Sequence, residues 1–180
     1  MTLAVFPDNT VLCNFGSVHR LDLLEKFLDG RGRWTEAVAY EASRSAAYVT
    51  DLLELVADGW LDGPIEIDDR REIDEIDAIR RAVFGGTEAE PLKHLGEAQT
   101  LYVIRNRVEF SDAIWISDDQ EAVAYARVNG IPVKETMHVV AEVVQYGWLS
   151  AADGHGMLVQ MDPDGKAPRR AAKPSDLHHL

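Results

Sequence analysis

Apolar positions along the chain follow two periods. The short runs Leu3–Phe6, Ala113–Ser117 and Ile131–Val133 read as strands, and stretches with an apolar residue every third or fourth position read as helices. Thr10–Phe15 begins the segment after the first strand. Ser17 is placed to cap a helix with Leu21, Leu24, Phe27 and Leu28 on one face, stopped by Asp29-Gly30. From Glu36 to Ala57, the positions Val38, Ala42, Ala46, Val49, Leu52, Leu53 and Val56 predict one long alanine-rich helix. Pro64–Ile67 reads as a further short strand. Ile73, Ile76, Ile79 and Val83 keep helical spacing behind a charged face. Leu95-Gly96-Glu97 opens another helix, and Val139, Val140, Val143 and Val144 mark one that ends at Gly147. Ser150 is placed to cap a last helix reaching Met161. Strands alternating with helices imply a parallel sheet covered on both faces. Residues 1–162 read as one domain. The segment 163–180, with three prolines and little apolar content, is expected to be disordered.

The chain is organised around Ala113–Glu135. An apolar strand closes on Asp118 and Asp119, a helical pattern follows through Ala122, Val123 and Ala126, Asn129-Gly130 ends it, and a second strand starts. The carboxyl end of a strand in an open α/β sheet is where ligands bind. The plain reading of the same aspartates is a helix cap with a second acid favouring the helix dipole.

Charge narrows the function classes. A net charge of −13 over 180 residues opposes nonspecific electrostatic binding to nucleic acid or acidic membranes. It is compatible with carboxylates that bridge to phosphate through a divalent cation. The run Glu66–Asp77, seven acids and two arginines, reads as a solvated helix face. The single cysteine, Cys13, excludes an intramolecular disulfide and a cysteine zinc cluster, and reads as a buried, inert thiol. No basic leader with a long apolar core and no membrane-spanning run is present, so a soluble, cytoplasmic protein is expected.

Four acidic places recur at strand ends and helix starts: Asp8, Glu41, Glu97 and Asp118-Asp119. In a parallel sheet these positions share one edge and can converge. Grouped carboxylates repel one another when empty and suit Mg2+ or Mn2+ when neutralised. Singly, Asp8 reads as a turn residue, Glu41 as a solvent-facing helix residue and Glu97 as a partner of the helix dipole. Arg44, Arg105, Arg107 and Arg127 are the available phosphate contacts, each with a plain reading as surface charge. Histidines 19, 94, 138 and 155 have no metal-ligand spacing, and the tryptophans read as core or interface residues rather than base-stacking platforms.

Together these motifs resemble the PIN-domain nucleases, in particular the branch that includes the VapC-type toxins. The resemblance rests on PDNTVL at Pro7–Leu12, YEASRS at Tyr40–Ser45, HLGEAQTL at His94–Leu101 and WISDDQEAVAYARVNGIPV at Trp115–Val133. It covers about Leu3 to Leu149. Asn9-Thr10 reverses the commoner order after the first aspartate, and the acidic insertion Glu66–Pro91 and the carboxyl tail are additions. The resemblance implies a three-layer α/β/α sandwich with a central parallel sheet. It implies a Mg2+- or Mn2+-dependent ribonuclease that cleaves single-stranded RNA as the toxin of a toxin–antitoxin pair, acting as a homodimer with an antitoxin partner. Carried across, Asp8, Glu97 and Asp119 would hold the principal metal, with Glu41 and Asp118 completing the site or holding a second ion. Adjacent acids leave the register of Asp118 and Asp119 open. Ser117 stands where the family has a hydroxyl that orients a ligand or phosphate, with Arg44 and Arg127 as further substrate contacts. The alternative is a PIN-fold module that binds RNA or a partner protein without catalysis.

Overall fold

The computed structural model describes residues 3–58, 60–162 and 173–180. Strands β1 (Val5–Pro7), β2 (Ile114–Ile116) and β3 (Val133–Lys134) form a parallel sheet in that spatial order. Val5 stands opposite Ile114, Pro7 opposite Ile116, and Trp115 opposite Val133. Side chains alternate across the pleat. Val5 and Ile116 enter one apolar cluster, and Phe6 and Trp115 enter another.

The first cluster is closed by α1 (Asn9–Ser17), α2 (Leu21–Leu28), α3 (Glu36–Ser45), α4 (Leu52–Asp58), α8 (Thr136–Gln145) and α9 (Ala151–Met161). Val11, Leu12, Phe15, Leu24, Val139, Val140 and Val143 are among its residues fully excluded from solvent. The second cluster is closed by α5 (Arg70–Phe84), α6 (Leu95–Asn106) and α7 (Gln120–Val128), through Ile76, Phe84, Leu101, Ala122 and Ala126. The fold is therefore mixed α/β, with a small three-stranded parallel sheet and helices packed on both faces. Among the described residues, no helix is long and apolar enough to cross a membrane.

Several expectations need correction. Thr10–Phe15 lies inside α1, which Asp8 caps, and Ser17 is that helix's last residue rather than the cap of the next. Residue Arg20 holds the cap position of α2 without a side-chain bond. The predicted helix Glu36–Ala57 is two helices, because a break at residues 46–51 interrupts it. Alanine-rich periodicity runs through this break, so only tertiary contacts reveal it. Pro64–Ile67 forms no strand of its own; Ile65 makes one isolated parallel bridge to Thr35. The acidic helix starts at Arg70, where Asp69 accepts from the Arg71 and Glu72 N–H groups. Residues 163–172 of the expected tail lie outside the described residues. Residues 173–180 carry a 3-10 turn at Pro174–His178, whose Leu177 is fully buried against α8 and α9. One apolar residue suffices to dock that segment, which its composition alone does not disclose. Ser150 caps α9 by accepting from the Asp153 N–H at 3.1 Å.

Candidate functional site

Parallel pairing in register brings the carboxyl ends of β1 and β2 side by side. Asp8, immediately after β1, donates its N–H to the Ile116 carbonyl at 2.9 Å. Its Oδ1 accepts from the Val11 N–H at 2.9 Å, so the same carboxylate caps α1. Ser117 is fully buried, its hydroxyl favours the charged form of Asp8, and its Oγ accepts from the Asp119 N–H at 3.2 Å.

The two adjacent aspartates diverge. Asp119 Oδ1 accepts from the Ala122 N–H at 2.7 Å and caps α7. Asp118 instead crosses to the start of α8. Its Oδ1 accepts from the Thr136 N–H at 2.8 Å, and its Oδ2 accepts from the Thr136 hydroxyl at 2.6 Å and from Asn14 Nδ2 at 2.7 Å. Three donors from two helices thus fix its orientation.

Glu41 and Glu97 arrive from the other side. Glu41 lies within α3, against the first turn of α6, where Gly96 leaves it room. A Cβ on Gly96 would stand 3.0 Å from both Glu41 carboxylate oxygens. Glu97 is the next residue, and His94 Nδ1 lies 3.8 Å from its Oε1. A Gly-Glu pair at this helix start therefore has two separate tasks: space for one carboxylate and supply of a second.

The electrostatics join these four acids. Burial pushes the Asp8 carboxyl up to about 7, opposed by the Ser117 hydroxyl and the Val11 N–H, with Asp118 and Glu97 adding repulsion. Burial also raises Glu41 to about 7, with Glu97 adding to the rise and the Gly96 N–H opposing it. Asp118 is raised by burial, an effect moderated by Thr136 and Asn14 and reinforced by Glu135. Among the described residues, no lysine or arginine forms an ion pair with Asp8, Glu41, Glu97 or Asp118. Cys13 is half-buried rather than buried as expected, and desolvation raises its thiol above the usual range.

Of the two candidate substrate arginines, Arg127 pairs with Glu135 at 3.2 Å. Arg44 is exposed, with its guanidinium 6.0 Å from the Tyr40 ring centre. Two grooves meet at Glu41 and Arg44. One, of about 770 Å³, runs between Tyr40 and the Pro91–Leu92 loop; the other, of about 440 Å³, passes Asn9, Ser45 and Tyr48.

The donor set consists of carboxylates and a hydroxyl, with no thiolate, which is the chemistry of a hard-cation site. As the side chains lie, no group of three or more His, Cys, Asp or Glu among the described residues is arranged to hold a metal ion. The donors therefore fit such an ion by type, and holding one requires their carboxylates to turn inward. Asn14, Thr136 and His94 were missed in the sequence reading. Asn14 becomes visible once Asn9–Ser17 is read as a helix entering from Asp8, and Thr136 is the first helical residue after β3.

The chain matches no model of a known protein family, no curated protein and no solved structure.

Proposed function

We propose that this protein is a Mg2+- or Mn2+-dependent endoribonuclease of PIN-like architecture, cleaving single-stranded RNA at the edge where β1 and β2 end. One observation carries the reading: buried Asp8 feels the charges of Asp118 and Glu97, half-buried Glu41 feels that of Glu97, and no lysine or arginine among the described residues pairs with any of the four. Such an arrangement costs stability unless a cation is bound. Helices on both faces of the parallel sheet support the three-layer sandwich, and the motifs at Pro7–Leu12, Tyr40–Ser45, His94–Leu101 and Trp115–Val133 support the nuclease family.

In this reading Asp8, Glu97 and Asp118 hold the ion, with Glu41 completing the site. Asp118 is preferred to Asp119 because it is the Asp118 charge that acts on Asp8. When bound, a divalent ion activates water and offsets charge on phosphoryl oxygens. Ser117 keeps the Asp8 carboxylate in place. Asn14 and Thr136 hold Asp118 against the start of α8 in the metal-free protein, so binding an ion would require part of this bond set to open. Arg44, at the junction of the grooves, is the phosphate contact; Arg127 acts through Glu135. By the same resemblance, the protein works as a homodimeric toxin restrained by an antitoxin.

The test is cleavage of single-stranded RNA by wild type and by Asp118→Asn, with manganese and with EDTA. Manganese-dependent cleavage lost in the variant supports the reading, and cleavage that persists in EDTA defeats it. The second reading, a PIN-fold module that binds RNA or a partner without turnover, is favoured by the absence of a ready three-group metal cluster among the described residues. Binding of RNA with no cleavage in manganese would select it.

A further inference from the structure

The geometry points to Arg80 as a positioning residue that pins the α5–α6 loop and so sets where Glu97 stands beside Glu41. This inference rests on the carboxylate site proposed above, but its physical content is separable from metal binding.

Arg80 is almost completely buried, with 2% of its side chain exposed, although it belongs to the most highly charged helix of the chain. A buried guanidinium must place its donors. Nε and Nη2 donate to Asp77 Oδ1 at 3.1 and 2.7 Å, closing one side of the fork within α5. Nη1 faces the other way. It lies 3.2 Å from the Thr87 carbonyl, 3.2 Å from the Glu90 carbonyl and 3.5 Å from the Lys93 carbonyl. Those three acceptors span the loop between α5 and α6, which contains no strand or helix of its own. The loop is thus tied to α5 by a buried side chain, with the exposed Arg81–Glu88 pair at 3.1 Å as a second, solvent-facing link.

Two further features belong to the same device. Gly86 leaves space for the guanidinium: a Cβ there would stand 2.5 Å from Nη1 and 2.9 Å from Arg80 Cγ. Phe84 stacks on His94, with ring centres 6.0 Å apart, just where the loop enters α6. His94 holds a left-handed backbone, φ 61°, immediately before Leu95-Gly96-Glu97. The loop also carries Pro91, Leu92 and Lys93, one wall of the larger groove. Fixing the loop therefore fixes both a groove wall and the helix start that seats Glu41 and supplies Glu97.

The test compares wild type, Arg80→Met, Gly86→Ala and Arg31→Met. Arg31 is a matched control: its guanidinium also serves carbonyls, those of Phe27 and Leu28, but away from the carboxylate group. Amide hydrogen exchange without metal should show protection lost across residues 87–97 in Arg80→Met and Gly86→Ala and retained in Arg31→Met. In manganese titrations followed by thermal melting, the half-saturating concentration should rise about tenfold in the first two variants only, the scale expected for supporting partners of a metal site. Unchanged exchange across 87–97 in Arg80→Met overturns the proposal, as does an equal manganese shift in Arg31→Met. If Arg80→Met fails to fold, Gly86→Ala decides by the same two readouts. If wild type shows no manganese response, the metal reading fails and hydrogen exchange alone decides the role of Arg80.

Discussion

Two acid-rich regions of this molecule behave in opposite ways. The helix α5 and its approach carry seven acids between Glu66 and Asp77. There Asp69 caps the helix, Asp74 meets Arg70, Asp77 meets Arg80 and Arg81, and Glu72 meets Arg107. Hydrogen bonding from Arg80 holds the Asp77 carboxyl below its ordinary range. At the sheet edge only four acids gather, yet Asp8 and Glu41 are raised to about 7 and Asp118 is also raised, in each case mainly by burial. Density of acids along a sequence thus does not mark a site. Burial without a lysine or arginine partner is the observation on which the proposed site rests, because it leaves charge whose cost a ligand or a proton can relieve.

The sharpest way to break this contrast is to remove one charge from each region. Asp118→Asn should lower manganese-dependent RNA cleavage by at least about 100-fold, since even supporting partners of a metal site are worth 10- to 100-fold. Asp119→Asn, which keeps an effective cap, should leave cleavage and the manganese response near wild type. Equal losses in both would remove the distinction between ligand and cap.

A smaller effect is expected at Gly96. Gly96→Ala presses a methyl group on the Glu41 carboxylate and should destabilise the protein by about 1–3 kcal/mol, the usual cost of overpacking, as read by denaturant unfolding. Unchanged stability would mean that the Glu41 carboxylate gives way at no net cost.

The pH dependence has a definite sign. Asp8 and Glu41 have unfolded values near 4 and folded values of about 7. Between these pH values the native protein keeps protons that the unfolded chain has lost, so their contribution makes the metal-free protein less stable as pH rises from about 4 to about 7. Asp8→Asn should flatten that slope, and thermal melts in EDTA across this range measure it. At the small end, Asp74→Asn, which breaks an exposed pair on α5, should change stability by less than about 0.5 kcal/mol.

Much of this was legible in the sequence for a physical reason. Strands β1 and β2, the helices α6, α7 and α9, and the positions of Asp8, Glu41, Glu97 and Asp118 follow from local period and punctuation, which are properties of neighbouring residues. What escaped was tertiary. Asp118 and Asp119 are indistinguishable as letters; Asn14 and Thr136 separate them only after α1 and α8 pack together. Arg80 looks like one more charge on a solvated face, and its burial depends on a loop that folds back over it. The break at residues 46–51 lies inside unbroken apolar spacing, where only the packing of α3 and α4 on α1 discloses it.

The central claim is that the buried acids at the end of β1 and β2 form a cation site. Its most direct test is thermal melting at pH 8 of wild type and Asp8→Asn, each in EDTA and in increasing manganese. The account predicts that Asp8→Asn melts above wild type in EDTA, because a repelled charge is gone while the cap remains. It also predicts that manganese raises the wild-type melting temperature progressively and leaves the variant unmoved. A wild type indifferent to manganese, or a variant that melts below it in EDTA and still responds to the ion, would contradict the account.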